Sequence, residues 1–276
     1  MANHSLKLFE ITLEFGIEPA APIMLDITAI RALQDNYIWA LHDQNSVAIV
    51  DPGEAAPVLD FLQQSGLRLA AILCTHRHRD HIGGIAELRE VYNVPVYGHS
   101  HPQNPHITHP LNENDQLILA APAIEFRIWE VPGHIKDHIA YVTPGAVFCG
   151  DVMFGAGCGR NFEGTLEQLH HSLQRLAALP DDTRVYCAHE YTALDLPFAL
   201  ACEPGNPDIL HRIEQTRQLR AANQPTVPFT LGLEKATNPF LRLKQPALLK
   251  TLRTHGWPCR SELGTFTALR NWRDHF

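Results

Sequence analysis

The chain has 276 residues, 45% of them hydrophobic and 19% charged, which excludes a mainly disordered protein and allows one large domain plus a small one. A formal net charge of −8 argues against a general nucleic-acid or membrane-surface binder, so an anionic ligand would need a local basic pocket. The six cysteines form no CxxC pair, which points to a reducing cytoplasm rather than a disulfide framework or a zinc ribbon.

Residues 1–23 read as an N-terminal extension of unassigned role, with Met24 a candidate original start; neither a signal peptide nor a membrane span is expected. Beyond them, short strand-like runs alternate with helical patterns. Residues 37–41 and 46–50 are predicted strands, the second ending in the turn Asp51-Pro52-Gly53. Residues 56–64 have helical spacing, with Val58, Leu59, Phe61 and Leu62 on one side, and 69–74 return as a buried strand. Directly after it comes Thr75 to His81, THRHRDH, on a loop. A helix over 84–92 and strands over 94–97, 125–131, 139–142 and 146–149 follow. Thr165 caps a predicted helix over 166–179, with Leu169, Leu173 and Leu176 buried, and 184–187 is the last expected strand. Helices between strands throughout predict two sheets with helices packed outside them. After His189 the strand-like runs vanish. Residues 207–223 read as a long helix capped by Asn206 and docked by Leu210, Ile213 and Leu219, in a helical second domain that ends with 261–276.

His76, His78, Asp80 and His81 are four metal-ligand candidates too close together in the chain to face a single ion. His76 and His78 are expected at one ion, Asp80 and His81 at a second. Three later segments end strands in the same way: Pro132-Gly133-His134, Cys149-Gly150-Asp151 and Ala188-His189. His134 completes the first set, His189 the second, and Asp151 has the two oxygens needed to bridge them. His138 is expected to orient a ligand from behind. The irregularly spaced His99, His101, His106 and His109 are assigned no metal role, and His170 and His171 are expected in solvent.

THxHxDH, PGH, CGD and AHEYT in this order resemble the metallo-β-lactamase superfamily, whose fold is an αββα sandwich with a dinuclear site between sheet edges. GCGRNFEGT, HEYT, FALACEPGNP, NPFLR and LRNWRDHF resemble, more narrowly, the glyoxalase II (hydroxyacylglutathione hydrolase) family. The resemblance runs from Met24 to the C-terminus and implies a metal domain over 24–189 and a helical glutathione-binding domain over 190–276. It implies hydrolysis of S-D-lactoylglutathione to glutathione and D-lactate, the second step of methylglyoxal detoxification, by a monomer. Two divalent ions, zinc first with iron or manganese as alternatives, would share an activated hydroxide, with Asp80 and Asp151 as catalytic carboxylates. Arg160, Phe162, Tyr191, Arg270 and Arg273 fall on the family's glutathione-binding positions. Three residues depart from the pattern. Arg77 replaces a histidine and makes the local field more positive, Phe162 replaces a tyrosine, and Asp137 replaces a glycine before His138. The main competing reading is a mononuclear iron persulfide dioxygenase of the same superfamily; a nuclease of this fold and a noncatalytic binding module rank below it.

Overall fold

A computed structural model describes residues 25–276; the extension over 1–23 lies outside the described residues. Two mixed sheets carry the first part of the chain. The first has the order β1 (Asp26–Ala32), β2 (Asn36–His42), β3 (Ser46–Val50), β4 (Arg68–Leu73), β5 (Val96–Gly98) and β6 (His109–Pro110), antiparallel up to β3 and parallel from there. Helices α1 (Ala56–Ser65), α2 (Arg79–Ile82) and α3 (Ile85–Val91) lie between its strands in sequence. The second is built from β7 (Gln116–Ala120), β8 (Ala123–Glu130), β9 (Ile139–Thr143) and β10 (Ala146–Gly150). Past a small ribbon, β11 (Met153–Phe154) and β12 (Gly157–Cys158), and helix α4 (Leu166–Ala177), it gains β13 (Arg184–Cys187) parallel to β10. The remainder holds α5 (Thr192–Cys202), α6 (Pro207–Ala221), β14 (Phe229–Thr230), α7 (Leu231–Thr237), α8 (Pro246–Thr254) and α9 (Glu262–Arg273).

The period-2 geometry of strands explains the layering. On β2, Tyr37, Trp39 and Leu41 join the core that also holds Phe126, Tyr141 and Phe148 of the second sheet, whereas Ile38 and Ala40 join Val58 and Leu62 of α1 and Ile85 and Leu88 of α3. Being buried on both faces is why β2 to β4 are nearly continuous apolar runs. Leu169, Leu173 and Leu176 of α4 reach the first of these cores, and Thr165 with Gln168 forms a reciprocal cap at its start.

Hydrogen bonds, two of them between backbone groups, stitch the two sheets together at one edge. Tyr37 N donates to Ala188 O at 2.7 Å, Ile139 N to Thr75 O at 2.9 Å, and the buried Tyr141 hydroxyl to Cys74 O at 3.0 Å. The registers Val50↔Leu73 and Gly150↔Cys187 therefore bring the exits of β3, β4, β10 and β13 to the same place.

Several expectations are corrected. β14 pairs with β13, so strands do not stop at His189: the later part of the chain donates an edge to the second sheet. β1 and β7 were not anticipated, and residues 79–82 are a helical turn rather than loop. On α6 the buried residues are Ile209, Arg212 and Thr216, while Leu210 is 51% exposed. The docked face contains an arginine because Arg212 pairs with the buried Glu234 at 2.5 Å. His170 is half-buried against the Phe266 ring, 5.2 Å between centroids, rather than solvated. Among the described residues no helix is long and apolar enough to cross a membrane.

Candidate metal centre

Four histidines at the shared edge are held by the far nitrogen of the ring. His76 Nδ1 donates to Thr75 Oγ1 at 3.1 Å, and that hydroxyl donates to Asp51 Oδ2 at 2.6 Å. His81 Nδ1 donates to the same Asp51 oxygen at 2.9 Å. His134 Nδ1 donates to the Arg160 carbonyl and His189 Nδ1 to Asp35 Oδ1, both at 2.8 Å. Each bond commits Nδ1 as the donor and turns Nε2 towards the interior of the cluster. Asp51 is thus a hub. It occupies the left-handed region, φ 52°, and also accepts from Thr75 N at 2.7 Å. In the sequence Asp51 is legible only as a turn residue and Asp35 carries no signal; a carboxylate closing a buried strand beside the histidine motif was the one available hint.

The freed atoms converge in two groups. His76 Nε2 and His134 Nε2 each lie 3.0 Å from His78 Nδ1, and with an Asp151 oxygen these donors fall within 4.8 Å of one another. Asp80, His81 and His189 form the second group. Nε2 of His81 and of His189 are each 3.4 Å from Asp80 Oδ2 and 3.4 Å from Asp151 Oδ1, whereas Asp151 Oδ2 is 3.5 Å from His134 Nε2. Asp151 turns one oxygen to each group. A third set, Asp51 with His76 and His81, is also close enough to hold an ion. Asp51 already accepts from Thr75 and His81, so it acts there as a brace.

The electrostatics of the two groups differ. Burial pushes His76, His78 and His134 below the ordinary histidine range, keeping their lone pairs free. Burial would lower His81 and His189 as well, but for His81 the carboxylates of Asp151 and Asp51 win. For His189, Asp151 and Asp80 raise it to about 10. Asp80 and Asp151 are in turn held below the usual carboxylate range by these imidazoles, against the opposing effect of burial. His81 Nε2 and Asp151 Oδ1 are buried and face one another at 3.4 Å, but neither makes a well-formed hydrogen bond to any of the described residues. Orphaned buried polar atoms are costly, and imidazole nitrogens and carboxylate oxygens aimed at shared points are the donor set of a divalent cation. The residues present fit such an ion.

His138 stands behind the groups, stacked on His76 at 4.5 Å. Its Nδ1 donates to Ile139 O at 3.1 Å and its Nε2 accepts from Asp151 N at 3.2 Å, so it orients the backbone of Asp151 rather than a histidine ring. The close approach needs Gly150, whose φ is 49° and whose place a Cβ would fill at 2.8 Å from His138 Nε2.

Two departures from the family pattern meet. Arg77 is ion-paired with Asp137 and Glu163 and donates to Gln103 Oε1 at 2.7 Å. The expected positive field is therefore cancelled in place: Arg77 straps three loops together around the centre. Phe162, on one of those loops, is 60% exposed and lies edge-on to His78 and His134, 5.7 and 5.3 Å between centroids.

The remaining expected substrate residues lie on the side of α5 and α9. Tyr191 stacks on His189 at 4.6 Å with 10° between planes. Arg160 is largely exposed, 3.4 Å from Asp274. Arg270 is buried; it donates to Cys158 O at 3.0 Å and to Asp274 at 2.8 Å. Arg273 donates twice to Asp195 Oδ1, at 2.9 and 3.1 Å. The two α9 arginines that fall on glutathione-binding positions each have an internal carboxylate partner.

Residues 32–189 match the family model of the metallo-beta-lactamase superfamily, and 190–276 match that of the hydroxyacylglutathione hydrolase C-terminus. A hydroxyacylglutathione hydrolase of Nitrosomonas eutropha is 45% identical over 92% of this chain and 100% of its own length. One from Aliivibrio salmonicida is 50% identical with the same coverages. The chain belongs to the hydroxyacylglutathione hydrolase family. Among solved structures, TTHA1623 in a di-iron-bound form is 28% identical, with a TM-score of 0.57 over 78% of this hydroxyacylglutathione hydrolase family member and 100% of that chain. ETHE1 from Myxococcus xanthus shares the fold, at 24% identity and a TM-score of 0.60 over 91% of this chain and 98% of that one.

Proposed function

We propose that the chain hydrolyses S-D-lactoylglutathione and related S-(2-hydroxyacyl)glutathione thioesters to glutathione and a 2-hydroxy acid, the second step of methylglyoxal detoxification. The observation that carries this reading is the match of 190–276 to the hydroxyacylglutathione hydrolase C-terminus, joined to a complete strand-edge donor set. His76, His78 and His134 would hold one divalent ion, Asp80, His81 and His189 a second, with Asp151 shared. Zinc is the first expectation and iron or manganese the alternatives. The orphaned His81 Nε2 and Asp151 Oδ1 support the two-ion count, as does the di-iron form of TTHA1623. When bound, such ions supply Lewis acidity and a water acidic enough to ionise near neutrality.

The chain's own residues do the rest. Thr75, Asp51, Asp35 and the Arg160 carbonyl hold the far ring nitrogens, so that the near ones are presented without reorganisation. Asp80, kept ionised and braced by Asn36 Nδ2 at 3.1 Å, accepts a hydrogen bond from the attacking water and orients it. Attack forms the new carbon–oxygen bond at the thioester carbonyl, collapse of the tetrahedral adduct breaks the carbon–sulfur bond, and the proton given up by the water passes to the departing thiolate or to solvent. The thiolate leaves readily because it is itself a weak base, its conjugate thiol ionising at a pKa of about 8.5. Phe162 and Tyr191 wall the mouth, while Arg160, Arg270 and Arg273 supply cationic character for the peptide carboxylates. Free thiols at all six cysteines suit a reducing cytoplasm.

Thiol release from S-D-lactoylglutathione, measured beside dioxygen consumption on glutathione persulfide, tests the reading. Rapid thiol release with no oxygen uptake is expected; oxygen uptake without thioester cleavage would establish the persulfide dioxygenase instead.

A further inference from the structure

In the pair Arg273–Asp195, Asp195 sits one helical turn along α5 from Tyr191, whose ring stacks on His189 of the metal-ligand set. Asp195 is 6% exposed, whereas the Arg273 side chain is 27% exposed and reaches towards solvent from α9. Both Arg273 contacts fall on Asp195 Oδ1. The other oxygen abuts Gly157, where a Cβ would collide with it. The carboxylate is therefore pinned in a site that admits little adjustment, while the arginine is the movable partner.

We propose that Asp195 is a specificity-determining residue: an internal carboxylate that occupies Arg273 and competes with the carboxylates of an anionic thioester for it. This rests on the substrate reading above. The groups acting on Asp195 are Arg273, Arg270 and Glu234, and Arg270 is committed to Asp274 and to the Cys158 carbonyl. Burial still raises the Asp195 carboxyl to about 6 in spite of the two arginines. Desolvation thus offsets much of what the pair gains, and exchange of one carboxylate for another at Arg273 costs little. An incoming carboxylate can take the guanidinium fork bidentately, which Asp195, using one oxygen, does not.

Asp195→Asn keeps the shape against Gly157 and removes the competing charge. KM for S-D-lactoylglutathione is expected to fall about 3- to 10-fold with kcat unchanged, the range of a partly exposed ion pair. KM for the uncharged thioester S-lactoyl-N-acetylcysteamine stays constant. In an Arg273→Gln background the same substitution has no effect on either KM. Calorimetric binding of S-hexylglutathione reads the exchange without turnover and should tighten by the same factor. If the parent protein binds this probe but cleaves no glutathione thioester, the hydrolase reading fails while the exchange is still measured. A KM that rises, or falls equally for both thioesters, or tighter binding that persists with Arg273→Gln, would overturn the proposal.

Discussion

The strand-edge cluster and the arginine cluster on α9 are both buried collections of polar groups, yet they are balanced in opposite ways. At the strand edge, imidazole nitrogens and carboxylate oxygens face shared points, and His81 Nε2 and Asp151 Oδ1 make no well-formed hydrogen bond to any of the described residues. On α9, the charges of Arg270 and Arg273 are already matched by Asp274 and Asp195, although Arg270 Nε itself has no hydrogen-bond partner among the described residues. An unsatisfied cluster takes up an ion to complete itself. A satisfied one binds a charged ligand only by giving up an internal partner, which makes it a place to tune selectivity rather than to drive catalysis.

Removing the shared carboxylate attacks the contrast hardest. Asp151→Ala should lower thioester turnover by about a thousand-fold or more and lose bound ion, read by steady-state assay and metal analysis. Retention of full activity would remove the cluster from the chemistry. Arg77→Met probes a satisfied set at the rim of the unsatisfied one. It leaves Asp137 buried without its partner and should cost about 3 kcal/mol in denaturant melts, much of it recovered in Arg77→Met/Asp137→Asn. Equal losses in the single and double variants would mean that the pair is not coupled. Asp51→Asn tests the brace behind His76 and His81, and metal affinity in a chelator competition should drop about 10- to 100-fold, with the fold intact by circular dichroism.

The smallest effect is on pH dependence. The Asp195 carboxyl is raised from its usual 3.8 to about 6 in the folded protein, so its stabilising contribution is present at low pH and lost as pH rises through 6. Relative to Asp195→Asn, the parent should lose about 1 kcal/mol between pH 5 and pH 7.5, measured as the difference between their unfolding free energies. A difference that does not change with pH would contradict the balance drawn for the α9 side.

The two clusters also differ in how legible they were. THRHRDH, PGH, CGD and AHE each place chemistry-bearing residues at the end of an apolar run, so strand periodicity alone carries them to one edge, and the structure brings these residues together. Their braces were hidden. Asp51 looks like a turn residue and Asp35 like a loop residue until folding sets them against His81 and His189. The arginine pairs were hidden more deeply, because Arg273 meets Asp195 across 78 positions of sequence, and no local pattern encodes such a contact. The face of α6 failed for a related reason. Apolar spacing picked Leu210, but the interior accepts Arg212 because Glu234 is there to meet it. β14, two residues long, is defined by its pairing with β13 and has no periodicity of its own.

If both donor groups hold an ion, thioester hydrolysis should depend on two ions per chain. Protein stripped with chelator and titrated with zinc should regain S-D-lactoylglutathione hydrolysis up to a plateau at two equivalents per chain, with His189→Ala halting near one equivalent and far below full activity. Full activity at a single equivalent, unaffected by His189→Ala, would contradict the account.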